Sequence, residues 1–315
     1  MKKRLLAASA ACLLSAVPSR AWGPLGHKAV ADVAESWLSE STRERVRELL
    51  GGSLSDVSNC ADNVMFARDP FPCAGFTLDP AAFAGTKPWH YIGIPIGTTD
   101  LSDMKALCKN GKDCVVAAIK AQTAVLKDPS PHVTKLQRQS ALMLLVHLMG
   151  DVHQPFHAID DGDWGGNAKK LTFKGAAKNL HMLWDDLVMV EDWKEQATWD
   201  AKPLVEALER PLDPSSAAPR SYRDVGEQAA AESFVIAKDI VYPAYARSQA
   251  LDQAYQEQMQ PIVGRRLTQA GLRLAFALES IFLRYDQARL SSAAPVRNAA
   301  AERALGMICP AALRP

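Results

Sequence analysis

Beyond its first twenty residues the chain has no long apolar run. Crossing a bilayer takes about 20 consecutive apolar residues, so no later segment reads as a membrane helix. Nor is there an excess of charge of either sign: 36 basic and 35 acidic residues leave a formal +1. Any contact with nucleic acid must therefore come from a local site rather than from a bulk positive field. Internal repeats and blocks of like charge are absent, which excludes solenoids and charged interaction tails. No Asn-x-Ser/Thr occurs, so no N-linked glycan is expected. The helical signature of the common zinc proteases, His-Glu-x-x-His, is missing too.

The first twenty residues read as an export signal. Lys2, Lys3 and Arg4 precede an apolar run from Leu5 to Val17, and Ser19-Arg20-Ala21 offers a small-x-small cleavage site. Cleavage after Ala21 removes Lys2, Lys3, Arg4 and Arg20 but no acid, which takes the formal charge from +1 to −3. It also makes Trp22 the new N-terminus. A free α-amine and its own carbonyl oxygen can chelate a cation, and His27 follows closely. An exported chain holds its cysteines as disulfides before anything else. Cys108 and Cys114 enclose a small loop with an Asn-Gly turn, and Cys60 and Cys73 can pair around Asp62. Cys309 is then odd. A soluble, secreted or periplasmic monomer with no obligatory protein partner is expected.

Residues 22–290 are read as one domain, followed by a tail at 291–315 of low complexity. Helical periodicity dominates. Ser41-Thr-Arg-Glu44 and Thr134-Lys-Leu-Gln137 read as capping boxes. Residues 103–127 and 222–289 read as helix, the latter with breaks near Pro243 and Pro261. Gly165-Gly166-Asn167 introduces a β-hairpin with one strand over 169–174, and Asn179 begins another helix. The class is all-α with a minor hairpin.

The chemistry is concentrated in His147-Leu-Met-Gly-Asp151-Val-His153-Gln-Pro-Phe-His157. The preceding helix has no polar face, so it is buried. His147 and Asp151, four apart, share one side of it. Asp151 also lies near the helix C-terminus, where the macrodipole disfavours an anion. A buried imidazole beside a buried carboxylate calls for compensation, and a cation supplies it. His181 and Asp185 repeat the spacing. Nitrogen and carboxylate donors, with the thiols engaged elsewhere, favour zinc over magnesium or calcium.

Taken in order, Trp22-Gly-x-x-Gly-His27, Cys60-Ala-Asp62, Trp89-His90-Tyr91, the His147–His157 stretch, Gly165-Gly-Asn167 and Asn179-Leu-His181-x-x-Trp-Asp185 resemble one family. It is that of the zinc-dependent single-strand-specific nucleases of the S-one/P-one type, which also act as 3′-nucleotidases and are related to bacterial zinc phospholipase C. The resemblance spans about Trp22 to Leu290. It implies three Zn2+ ions: one on Asp62, His90, His147 and Asp151; one on His157, His181 and Asp185; and one on the Trp22 amine and carbonyl, His27 and Asp151. It implies hydrolysis of single-stranded DNA, RNA and 3′-nucleotides, with Asp62 orienting or deprotonating the attacking water. Tyr91 then stacks a base, and Asn167 approaches the scissile phosphate. Gly93 departs from the fungal enzymes, which carry an acidic, base-binding residue there. His153 is read as a hydrogen-bonding support and His132 as a loop residue. Asp185 favours the nucleases, since the phospholipases favour Glu there. A phospholipase C, or a non-catalytic zinc-binding protein on the same scaffold, is the alternative.

Overall fold

The computed structural model describes residues 22–65, Cys73, Phe76, 80–186 and 225–289. The expected export signal and tail, residues 1–21 and 291–315, and Cys309 lie outside the described residues. The architecture is mainly helical with one small sheet, as expected. In chain order come α1 (Gly23–Trp37), α2 (Glu40–Leu50), α3 (Leu54–Val57), α4 (Cys60–Met65) and α5 (Pro80–Phe83). A 3-10 turn at Lys87–His90 leads to α6 (Val115–Lys127) and α7 (Lys135–Asp151), and a second such turn covers Pro155–His157. Then follow β1 (Lys170–Phe173), β2 (Ala176–Asn179), α8 (Leu180–Asp186), α9 (Val225–Ile236), α10 (Tyr242–Arg247), β3 (Ala250–Leu251) and α11 (Gln253–Arg289).

Helix α7 is the axis of the core. Every residue from Ser140 to Asp151 is buried, because α1, α3, α4, α6 and α11 all pack on it. Its start is the expected capping box: Thr134 Oγ1 accepts from Gln137 N, and Gln137 Oε1 accepts from Thr134 N at 2.8 Å. Pro155 has no N–H to continue the helix, and the chain turns out at Val152. Helix α1 lies along α11, where a Cβ at Gly271 would come 2.5 Å from Val33 Cγ1. Only glycine permits so close a crossing, and that crossing fixes how far α1 reaches towards α7.

Several expectations need correction. Helix α2 is capped by Ser39, not Ser41: Ser39 Oγ accepts from Thr42 N, and the Glu279 carboxylate of α11 takes Ser39 N–H at 2.6 Å and the Thr42 hydroxyl at 2.8 Å. A distant carboxylate thus selected the cap. The helix expected over 103–127 starts only at Val115, since the Cys108–Cys114 disulfide closes a turn ahead of it. The hairpin turns at Lys174-Gly175, with φ 48° and 80° as in a type I′ turn. A parallel third strand, β3, joins it in the order β2-β1-β3. Helix α11 runs unbroken through Pro261. Pro261 and Glu257, whose carbonyl loses its partner, are both exposed, so water satisfies that group. Cys60 pairs with Cys73. Among the described residues no helix is long and apolar enough to cross a membrane.

Candidate metal centre

Five segments converge at the C-terminal half of α7. Helix α1 brings His27, α4 brings Asp62, the first 3-10 turn brings His90, α7 and its exit bring His147, Asp151 and His157, and α8 brings His181 and Asp185. All eight side chains are buried. They form three groups with donor atoms within 4.8 Å of one another: His27, His147 and Asp151; Asp62, His90 and His147; His157, His181 and Asp185.

Asp151 is central. Its Oδ1 lies 3.4 Å from His27 Nε2 and 3.9 Å from His157 Nδ1; its Oδ2 lies 2.9 Å from His90 Nδ1 and 3.4 Å from His147 Nε2. Asp62 Oδ1 is 3.4 Å from His147 Nε2 and 3.6 Å from His90 Nδ1. Yet neither Asp151 oxygen has a well-aligned hydrogen-bond donor. The same is true of Asp62 Oδ2, His147 Nε2, His181 Nε2, His90 Nε2 and both nitrogens of His27. Leaving one buried polar atom unpaired costs about 1–3 kcal/mol. A knot of them in one place fits a site shaped for cations.

Backbone carbonyls orient the rings. His147 Nδ1 faces Ser58 O at 2.8 Å, His157 Nδ1 faces His90 O at 2.6 Å, and His181 Nδ1 faces Gly165 O at 2.6 Å. A carbonyl only accepts, so each Nδ1 carries a hydrogen and each Nε2 is turned towards the centre. Gln154 Nε2 donates to Asp185 Oδ1 at 2.7 Å, which leaves Oδ2 towards His181. His27 stacks on His147 at 3.9 Å. That contact needs Gly150, where a Cβ would fall 2.7 Å from His27 Nδ1.

Titration follows burial and neighbours. Burial, aided by His147, holds His27 down at about 3; burial, aided by His157, does the same for His181. Burial also lowers His157. For His147 burial works downward, but the Asp151 and Asp62 carboxylates outweigh it and hold the imidazole at about 9. Burial opposes ionisation of both carboxylates, and His147 overrides it to keep each below the usual range. Without a cation the centre thus holds ionised Asp62 and Asp151, neutral His27, His157 and His181, and a protonated His147 whose Nε2 proton a cation would displace.

The remaining expected residues are distributed as follows. Trp22 is fully buried, its indole donating to Gly150 O at 2.9 Å and its carbonyl accepting from Gly26 N. Tyr91 exposes 47% of its surface beside the centre. Asn167 Nδ2 donates to Trp164 O and lies 3.2 Å from His181 Nδ1. His132 is exposed. His153 stands behind the site: Nδ1 faces Met149 O at 2.7 Å and Nε2 meets Arg273 Nη1 at 3.1 Å. Burial, with Arg266 and Arg273 adding, keeps it neutral.

Sequence reasoning missed three features. Gln154 holds a candidate ligand, and its position between His153 and Pro155 was the available signal. Arg266 and Arg273, two turns apart on α11, are buried with Glu232 of α9 against the α7 exit. Trp164 stands exposed on the loop before Gly165.

Against known proteins, residues 22–283 match the model of the S1/P1 Nuclease family. The chain belongs to the S1/P1 nuclease family. Relatives include Endonuclease 2 of Arabidopsis thaliana, 28% identical over 295 residues, covering 86% of this chain and 94% of the relative. Nuclease S1 of Aspergillus oryzae is 27% identical over 298 residues, covering 88% and 98%. Nuclease P1 of Penicillium citrinum is 28% identical over 200 residues, covering 60% and 67%. The S1/P1 nucleases are metal-dependent hydrolases acting on nucleic acids, and this chain is a hydrolase of that kind. The three groups of His and Asp described above can hold metal.

Proposed function

We propose that this protein is an exported zinc phosphodiesterase that cuts single-stranded DNA and RNA to 5′-nucleotides and removes phosphate from 3′-nucleotides. The observation that carries the reading is Asp151: a fully buried carboxylate with two unpaired oxygens, each facing imidazoles from different segments. A carboxylate in that state suits a bridge between two cations. The proposed ligand sets are Asp62, His90, His147 and Asp151; His157, His181 and Asp185; and His27, Asp151 and the Trp22 amine and carbonyl. Trp22 as the mature N-terminus agrees with the cleavage site after Ala21 and with a family match beginning at residue 22. Imidazole and carboxylate donors, with thiols engaged in disulfides, favour zinc.

Held by those residues, zinc would polarise a phosphoryl oxygen, acidify water and offset negative charge on the leaving oxygen. The protein's own groups supply the rest. Asp62 Oδ2, buried and without a donor, orients the attacking water and accepts its proton. Gln154 orients Asp185 through their 2.7 Å contact. The Asn167 amide, beside His181, donates to a phosphoryl oxygen. The Tyr91 ring stacks a base, an interaction of about 1–3 kcal/mol.

The test compares 5′-mononucleotide release from denatured DNA and RNA with phosphocholine release from lecithin vesicles. Strand cleavage with no headgroup release is expected. Headgroup release without strand cleavage overturns the proposal in favour of a phospholipase, and zinc-loaded protein inert on both favours a binding role.

A further inference from the structure

Trp164 combines two unusual features. Its side chain is 78% exposed, the most of any large hydrophobic residue among those described. Its backbone has φ 60°, the left-handed region that a bulky residue enters only at a cost of about 1–3 kcal/mol. That conformation is held from all sides. Asp160 Oδ1 accepts the N–H groups of Trp164 and Asp163, each at 3.0 Å. Trp164 O accepts from the Asn167 side chain at 2.9 Å. Buried Asp163 takes Gly166 N–H at 2.9 Å and the Tyr242 hydroxyl at 2.8 Å. Asp160 itself is bound through its backbone to Ile94 and Ile96, in the strand-like run that begins at Tyr91.

A rigid loop that strains a tryptophan in order to expose it is presenting the ring. Its place says to what. The next residue, Gly165, gives its carbonyl to His181, and Asn167 lies against the same imidazole. A Cβ at Gly93 would come 3.5 Å from Asp160 Cβ, so the loop abuts the segment that carries Tyr91. Trp164 therefore sits one residue from the carbonyl that orients His181, on a loop joined to the Tyr91 segment through Asp160. We infer that Trp164 is a second stacking platform, taking the base of a nucleotide beyond the one at the reacting phosphate, so that the site favours a strand over a mononucleotide. This rests on the nuclease reading.

The experiment compares wild type with Trp164→Gly, which removes the ring and relieves the backbone, and with Trp164→Phe. Two readouts are kcat/KM on a dodecathymidylate and on a 3′-mononucleotide, and anisotropy of a labelled, phosphorothioate-linked dodecathymidylate. For Trp164→Gly we expect a fall of about 5- to 150-fold on the oligonucleotide, the worth of one stacked base, with little change on the mononucleotide and an undiminished melting temperature. Trp164→Phe should recover most of the loss. Equal effects on both substrates, or none on either, overturn the inference while leaving the nuclease reading intact. If wild type binds the labelled strand through Trp164 but cleaves nothing, the nuclease reading falls and, with it, the inference of a subsite beside a reacting phosphate, leaving only a strand-binding ring.

Discussion

Replacing Gly150 by alanine adds one methyl group at the most crowded point of the centre. That carbon would lie 2.7 Å from His27 Nδ1 and 3.0 Å from Cε1, against an ordinary contact of about 3.5–4 Å. The ring must move by roughly 0.5–1 Å. It has little freedom to do so, since His147 is stacked on it at 3.9 Å and 13°. Metal–ligand distances tolerate about 0.2 Å. On the proposed three-ion assignment, Gly150→Ala should therefore lose the ion that would depend on His27 and keep the other two. Stability should fall by no more than about 2.5 kcal/mol. Overpacking costs about 1–3 kcal/mol, and alanine returns about 0.5–1 kcal/mol in a helix interior. Metal content per chain after gel filtration, with circular dichroism to confirm the fold, reads the effect. A variant with the wild-type metal complement and full activity would refute this geometry.

Glu232→Gln leaves Arg266 and Arg273 buried without their carboxylate and, since Glu232 itself is partly exposed, should cost about 1–3 kcal/mol in denaturant titration. The pH dependence has a definite sign. Burial opposes it, but Arg273 and Arg266 pull Glu232 down to about 2, below the ordinary 4.5. Its contribution is full above about pH 4.5 and disappears as pH falls towards 2. The wild-type advantage over Glu232→Gln should shrink across that window; an advantage independent of pH would count against the network. Tyr91→Ala should raise KM for oligonucleotides by about 5- to 150-fold and leave turnover of a small aryl phosphodiester nearly unchanged. Parallel losses on both would remove its stacking role.

The helical class and the burial of α7 were legible because they depend on local pattern. An all-apolar helix has nowhere to lie but inside, and Thr134 with Gln137 closes a cap within four residues. His147–Asp151 and His181–Asp185 were legible as pairs through helical spacing. Their meeting with Asp62, His90 and His27 was not, since no local rule brings α4 or the Lys87–His90 turn to α7; the family resemblance supplied that grouping. What stayed hidden depends on tertiary partners. The carbonyls of Ser58, His90 and Gly165 that turn the imidazoles carry no side-chain signature. Ser39 won the α2 cap because Glu279 reaches it from 240 residues away. The strain at Trp164 comes from Asp160 and Asn167, and its exposure shows only in three dimensions.

The central claim is that zinc ions gathered around Asp151 perform strand cleavage. It is tested most directly by determining the zinc content of the purified protein beside its cleavage of single-stranded DNA, before chelation, after it, and after zinc is returned. The account predicts three zinc ions per chain, loss of cleavage as they leave and recovery on their return, with Asp151→Asn short of at least two ions and nearly inactive. A chain that holds no zinc, or that cuts single strands equally well after chelation, would contradict it.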